Sequence, residues 1–308
     1  MDVYSTGLSL VLGRVLSAWC EQVKPPDIER YLEFGGFQGF WRVADMTPQD
    51  VIAELRSSGL RDRRSLGEPV YLSWQRFQSR HEPGVLVVDA THYDDRSQSG
   101  NFLLSNNPFG LIEGLLIAAM ACDVSRCRLL LPAGLHDFES GLLNALEIIE
   151  ERNLSSGRQL DLELIRDPVP SILSGDFPYS NQEPALVHHL ETWYHLALVF
   201  SLGAAHYKTL GLEGQTGTYL ITVGGKVKRP GLVEAPMGVK LWHVIEALTG
   251  GPESSISPLA LSLDDGMGGF LSVSTAQIPM APEEMGSAGV SPAPMTIWLL
   301  EEDTCMVD

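Results

Sequence analysis

An α/β fold followed by a smaller strand-rich unit is what this sequence predicts, on three observations. Short β-branched or leucine-rich runs alternate with helical patterns through the first two thirds of the chain. After Gly217 the character changes to short strands separated by turns. The 308 residues are 44% hydrophobic and 19% charged, a composition that supplies a real core and, at this length, suggests two domains.

The elements follow in order. Leu8, Val11, Leu12, Val15, Leu16 and Trp19 fall at helical spacing, an amphipathic helix seeking a partner surface. Asp2 and Arg14 argue against an export signal there. Beyond Lys24-Pro25-Pro26, Thr47-Pro48-Gln49-Asp50 supplies a capping hydroxyl, a first-turn proline and an acid, and Gly59 supplies the stop. Val85 to Val88 reads as a strand, Pro108 to Ala121 as a long apolar helix, Arg128 to Leu131 as a buried strand and Phe138 to Glu151 as a helix. Leu160, Leu162 and Leu164 alternate with Asp161 and Glu163 in a further strand. A Pro-, Ser- and Gly-rich connection, Asp167 to Pro184, leads to a helix expected from Ala185 to Leu202. Strands are then expected at Tyr219 to Val223, Gly231 to Glu234, Leu259 to Leu263, Phe270 to Val273 and Thr296 to Leu300, with one helix at Leu241 to Leu248.

Charge and cysteines narrow the function. Lys+Arg 21 against Asp+Glu 39 gives a net charge of -18, which repels phosphodiester backbones and anionic lipid, so nucleic-acid binding is not expected. No run is long enough for a membrane span, so no direct membrane insertion is expected, and any membrane association would come through a complex. Cys20, Cys122, Cys127 and Cys305 are too few and scattered for a disulfide framework, which points to a reducing, cytoplasmic setting. There is no internal repeat, low-complexity tract, Walker loop or G-x-G-x-x-G.

Six segments carry a family resemblance: YLEFGGF (Tyr31 to Phe37), MTPQDVIAELRSSGLR (Met46 to Arg61), PFGLIEGLLIAAMA (Pro108 to Ala121), HHLETW (His188 to Trp193), VGGKVKRPGLVEAPMG (Val223 to Gly238) and EEDTCMVD (Glu301 to Asp308). On these the chain resembles the flavin-carrying, NADH-oxidising subunit of respiratory complex I and the related subunits of NAD-linked formate dehydrogenases and hydrogenases. The resemblance implies a flavin-subunit-like α/β sandwich at 29–216 and an SLBB-type, soluble-ligand-binding β-grasp domain at 217–280. The amphipathic helix at 1–28 precedes them, and a C-terminal strand at 281–308 is expected to return to the first domain.

The ligand-contacting motifs depart from the family. Where relatives read R-G-R-G-G-A-G-F-P-T-G-L-K-W, this chain reads Arg61 to Trp74, with Asp62, Arg64, Ser65 and Tyr71 for glycines and Ser73 for the lysine. Side chains are thus expected to fill the space of the flavin ring. C-N-A-D-E becomes Val88-Asp89-Ala90-Thr91-His92, and the third flavin motif would fall near Asp167 to Phe177, where Pro168, Pro170, Ser171 and Asp176 stand. The asparagines of N-N-V-E-T become His188 and His189, leaving Glu191 and Thr192. The cysteines that hold the family's four-iron cluster have no counterpart before Asp308.

The resemblance with these losses implies a non-catalytic paralogue, with no FMN, NAD, 4Fe-4S cluster or metal and no catalytic or cofactor-binding residues. It would serve as a structural or assembly component of a multi-subunit oxidoreductase, beside thioredoxin-fold or iron-sulfur partners. Two alternatives stay open: an active FMN-dependent NADH:acceptor subunit with a rebuilt pocket, and a small-ligand sensor using the β-grasp unit. Other constellations have plainer readings. Cys122 and Cys127 read as buried thiols, and Asp264 to Gly269 as a turn rather than a calcium loop. His188, Glu191 and His195 read as a solvated helix face before a zinc or proton-transfer site, and Arg61, Arg63 and Arg64 as partners of nearby carboxylates before an anion site.

Overall fold

The computed structural model describes residues 14–22, 27–63, 67–79, 82–91, 96–132, 135, 137–166, 183–212, 214–253 and 257–304. Five helices come first: α1 (Leu16–Gln22), α2 (Ile28–Glu33), α3 (Gln38–Ala44), α4 (Pro48–Ser58) and α5 (Val70–Gln78). A parallel αβ succession follows with β1 (Val85–Asp89), α6 (Ser99–Asn106), α7 (Pro108–Cys122), β2 (Arg126–Leu131), α8 (Glu139–Glu151), β3 (Asp161–Arg166) and β4 (Ala185–His189). Then come α9 (Leu190–Leu202), α10 (Ala204–Tyr207), β5 (Thr218–Gly225), β6 (Gly231–Pro236) and α11 (Leu241–His243), which runs into a π turn at Val244–Leu248. The chain ends in β7 (Pro258–Leu263), β8 (Phe270–Ser272), α12 (Pro282–Ser287) and β9 (Thr296–Glu301).

The fold is α/β. The first sheet is parallel in the order β3-β2-β1-β4. All of β1 is buried, while β3 at the edge shows the alternating exposure that Asp161 and Glu163 predict. Leu86, Val88, Leu129, Leu131 and Leu186 face the main core, and Val85, Val87 and Leu130 form a smaller cluster on the other face. The second sheet is mixed, in the order β6-β5-β9-β7-β8, with β9 parallel to β5 and antiparallel to β7.

The sequence signals at α4 are realised in full. Thr47 and Asp50 form a reciprocal capping box, and Gly59 closes the helix in the left-handed region at φ 69°. α7 is apolar on every side and central, so nearly all its residues are buried. It lies close against α9: a Cβ on Gly114 would stand 2.1 Å from the Trp193 carbonyl oxygen. Among the described residues no single helix is long and apolar enough to cross a membrane, and the apolar pair α6 and α7 is bent by 86°.

α7 also carries Glu113, fully buried, which clamps the Gly-Gly turn before α3. Its carboxylate accepts from the Tyr31 hydroxyl at 2.7 Å, from Phe37 N–H at 2.8 Å and from Phe40 N–H at 3.3 Å. Burial pushes its pKa up to about 7 against the pull of these donors.

Three expectations are corrected. Residues Ala185 to His189 are a strand, not the first turns of a helix; the run has no period of its own, and pairing with all of β1 decides it. The last strand does not return to the first sheet, because β9 fills the centre of the second. The described part of the N-terminal segment faces inward: Leu16 and Cys20 are buried and Trp19 meets Tyr31 edge-on, 5.2 Å between ring centres. Residues Leu8 to Gly13 and Lys24 to Pro26 lie outside the described residues.

Two substitutions test this account by urea unfolding. Thr47→Ala is expected to cost about 1 kcal/mol through the lost cap, and Gly114→Ala more than about 1 kcal/mol because the α7/α9 approach has no room for a methyl group.

Candidate functional site

In open parallel sheets ligands bind outside the carboxyl ends of strands, where the strand order reverses. Here that point lies between β1 and β4, since the chain runs from β1 outward through β2 and β3 before β4 returns on β1's other side. The two strands end together at Asp89 and His189, which are paired in register. Asp89 is fully buried, and its Oδ1 accepts from the Thr91 amide and hydroxyl.

The loop after α4 is drawn into the same place. Asp62 Oδ1 accepts from His189 N–H at 3.0 Å and from the Thr192 hydroxyl at 2.8 Å. That hydroxyl in turn accepts the Arg63 amide at 2.9 Å, so Thr192 couples the two neighbours. His188 Nδ1 stands 3.2 Å from Asp62 Oδ2, at ion-pair distance though off hydrogen-bond alignment. His188 Nε2 accepts the Trp74 indole N–H at 3.2 Å, and the Ser73 hydroxyl lies 3.2 Å from the same nitrogen. An indole can only donate, so Nε2 carries the lone pair and the neutral ring bears its proton on Nδ1, toward Asp62.

Deeper in, Arg63 is 2% exposed and gives its terminal nitrogens to the Arg61 and Thr216 carbonyls. Glu191, His195 and Tyr207 lie beside it, all buried. Glu191 accepts Leu220 N–H from β5, and its pKa is pushed up to about 8, chiefly by burial, with Arg63 pulling the other way. Burial and the Arg63 charge hold His195 well below the usual histidine range. Its Nε2 faces the Thr218 carbonyl at 3.0 Å, so Nε2 is the donor, and Nδ1 accepts from the Tyr207 hydroxyl at 3.0 Å.

Sequence expectations fare unevenly here. Glu191 and His195 are buried rather than a solvated face, and His188 sits on β4, so the three do not form one helix face. Tyr71 is half-buried under the Arg56 guanidinium, 4.7 Å from its ring centre, and so packs against α4. Arg61 pairs with Glu283 at 2.5 Å. Cys122 and Cys127 have thiols pushed up to about 12 by burial, the protonated state of core cysteines. Asp264 begins a tight 3-10 turn, closed by Met267 N–H to its carbonyl, and its carboxylate accepts from the amides of Met295 and Thr296. No group of three or more His, Cys, Asp or Glu among the described residues is placed to hold a metal. Arg64, Ser65, His92, Asp167 to Phe177 and Cys305 lie outside the described residues. Sequence reading missed the meeting of Asp62, Ser73 and His188, whose only signal was that each replaces a family motif residue.

No protein-family model matches the chain. It is similar to the NADP-reducing hydrogenase subunit HndC of Solidesulfovibrio fructosivorans, 23% identical over 96% of this chain and 66% of that protein. It is also similar to the NADH-quinone oxidoreductase F subunit of Aquifex aeolicus, 26% identical over 97% of this chain and 74% of that one. The counterpart of the latter in Streptomyces coelicolor is 25% identical over 96% and 72%. In fold it matches a chain of the air-oxidized NAD+-reducing NiFe hydrogenase crystal structure, with TM-score 0.69 and 23% identity over 95% of this chain. The chain spans 51% of that hydrogenase chain and just under two thirds of HndC. These relatives are those of the family that the sequence motifs resemble.

The buried Glu191 sets a pH dependence. Its folded pKa, about 8, lies above the ordinary 4.5, so its contribution to stability is complete below pH 4.5 and is lost as pH rises toward 8. Glu113 adds to that slope only up to about pH 7. Glu191→Gln is therefore expected to remove a loss that approaches about 1.4 kcal/mol per pH unit between pH 4.5 and 8 and levels off above that. Urea unfolding of both proteins as a function of pH checks this, and parallel curves would refute it.

Proposed function

We propose that the chain is a subunit of a multi-subunit oxidoreductase, related to NADH-oxidising flavin subunits, in which the flavin and NADH chemistry is lost. The fold then serves assembly or docking, beside thioredoxin-fold or iron-sulfur partners in the cytoplasm. One observation carries the reading: side chains that replace family motif residues are taken up by neighbours within the fold itself. Asp62 holds the β4 end and Thr192, and His188 is held by Trp74 and faced by Ser73.

These residues do not fit a flavin nucleotide. A phosphate at the end of β1 and β4 would meet the buried carboxylates of Asp62 and Asp89, and Ser73 offers no charge where the family has a lysine. Arg61 is paired with Glu283, and Arg63 points its guanidinium at backbone carbonyls. For a cluster, the protonated thiols of Cys122 and Cys127 are the wrong form of ligand. The retained pieces, α7 and the Gly-Gly turn, are packing elements.

One feature favours a second reading, a subunit with a rebuilt ligand pocket: Asp89 and His189 end their strands at the position where open sheets bind ligands. Purified protein distinguishes the two. It is expected to show no flavin absorbance, to retain no FMN after incubation and gel filtration, and to reduce no ferricyanide with NADH. Flavin retained at one per chain and released on denaturation would overturn the proposal.

A further inference from the structure

We propose that Ser73, His188 and Asp62 form an acyl-transfer relay that hydrolyses small carboxylic esters at the carboxyl end of the first sheet. The inference stands apart from the loss of flavin chemistry and concerns a different reaction. Its basis is geometric. A half-buried serine hydroxyl lies 3.2 Å from the Nε2 of a histidine whose Nδ1 faces a buried carboxylate at 3.2 Å. Nucleophile beside base, and base beside an orienting carboxylate, is the arrangement that activates a serine.

Each member lies within one rotation or small shift of the arrangement the chemistry needs. The Trp74 indole fixes the tautomer with the lone pair on Nε2 and the proton on Nδ1. Asp62 is itself fixed by His189 N–H and the Thr192 hydroxyl, so it acts as a positioning residue. Ser73 donates to the Val70 carbonyl at 2.7 Å, and turning that proton to Nε2 needs only rotation about the Cβ–Oγ bond. Apo enzymes commonly hold such bonds loosely. Trp74 acts against the relay, because its N–H competes with Ser73 for the same lone pair.

In the reaction the Ser73 Oγ bonds to the ester carbonyl carbon while its proton passes to His188 Nε2. The carbonyl–alkoxy bond then breaks, and the alcohol leaves with that proton. Water repeats the sequence on the acyl-serine, its proton passing through Nε2 back to Ser73 as the carboxylic acid departs. With Asp62 and Asp89 at the strand ends, a neutral or cationic ester fits better than an anionic one.

Fluorophosphonate labelling followed by peptide mapping, with p-nitrophenyl acetate hydrolysis, tests this on the full chain. The expected result is labelling at Ser73, lost in Ser73→Ala and reduced about a hundredfold or more in His188→Asn. Asp62→Asn is expected to shift the pH profile of labelling, and Trp74→Phe to accelerate it, a gain that a purely structural role does not give. No labelling of the wild-type chain, labelling at another residue, or His188→Asn reacting at the wild-type rate would overturn the proposal. Should Ser73→Ala fail to fold, Ser73→Cys serves instead: its thiol is expected to alkylate faster than in the denatured chain, and an equal or slower rate counts against the relay.

Discussion

Two adjacent residues of opposite charge, Asp62 and Arg63, are taken out of water together, and the carboxyl end of the first sheet is built around keeping them satisfied. A buried charge with no partner costs several kcal/mol, of the order of 3–5 when a pair is broken. The chain answers with Thr192, whose hydroxyl accepts from the Arg63 amide and donates to Asp62, and with the first amide beyond His188. Arg63 reaches Thr216 just before β5, and Glu191 reaches Leu220 within it. The same network therefore fixes the loop after α4, the β4 to α9 turn and the start of the second sheet.

Much of the fold was legible because its signals are local. Thr47, Pro48, Asp50 and Gly59 mark both ends of α4 within one stretch of sequence, and the structure uses each as the chemistry requires. Leu162 and Leu164 against Asp161 and Glu163 mark a half-exposed strand, and β3 is one. Ala185 to His189 misled because the strand joins α9 without a break, and a run of apolar residues with histidines has no period that separates strand from helix. The burial of His188 and His189 in that run and of His195 in α9 was hidden too, since histidine in sequence gives no sign of which side faces water. The site was illegible for a stronger reason: Thr192 and Asp62 are separated by 130 positions, and only tertiary structure joins them.

The two sets of motif residues lie in different places in space, and this bears on how the chain diverged from its relatives. YLEFGGF and PFGLIEGLLIAAMA, distant in sequence, meet at Glu113, whose carboxylate is bonded by Tyr31 and Phe37 from the first segment. Altering either side would leave a buried acceptor unmet, so these pieces change only together. The residues that do depart, Asp62, Ser73 and His188, meet at the strand ends and form a second, self-consistent cluster. One cluster is a packing device kept whole, and the other gathers residues that replace family motif residues.

An assembly role requires apolar surface open to a partner, and the N-terminal segment does not supply it over its described residues. The amides of Val15, Leu16 and Ser17 and the Ser17 hydroxyl all donate to the Glu234 carboxylate on β6, which also accepts from Thr218. α1 is thereby latched to the second sheet, with Leu16 and Cys20 in the core. The most exposed apolar side chains of the second sheet lie instead near the β7 to β8 turn, where Met267 is 93% and Phe270 45% exposed. Asp264 holds the base of that turn through the Met295 and Thr296 amides, so the tip is presented from a fixed stem.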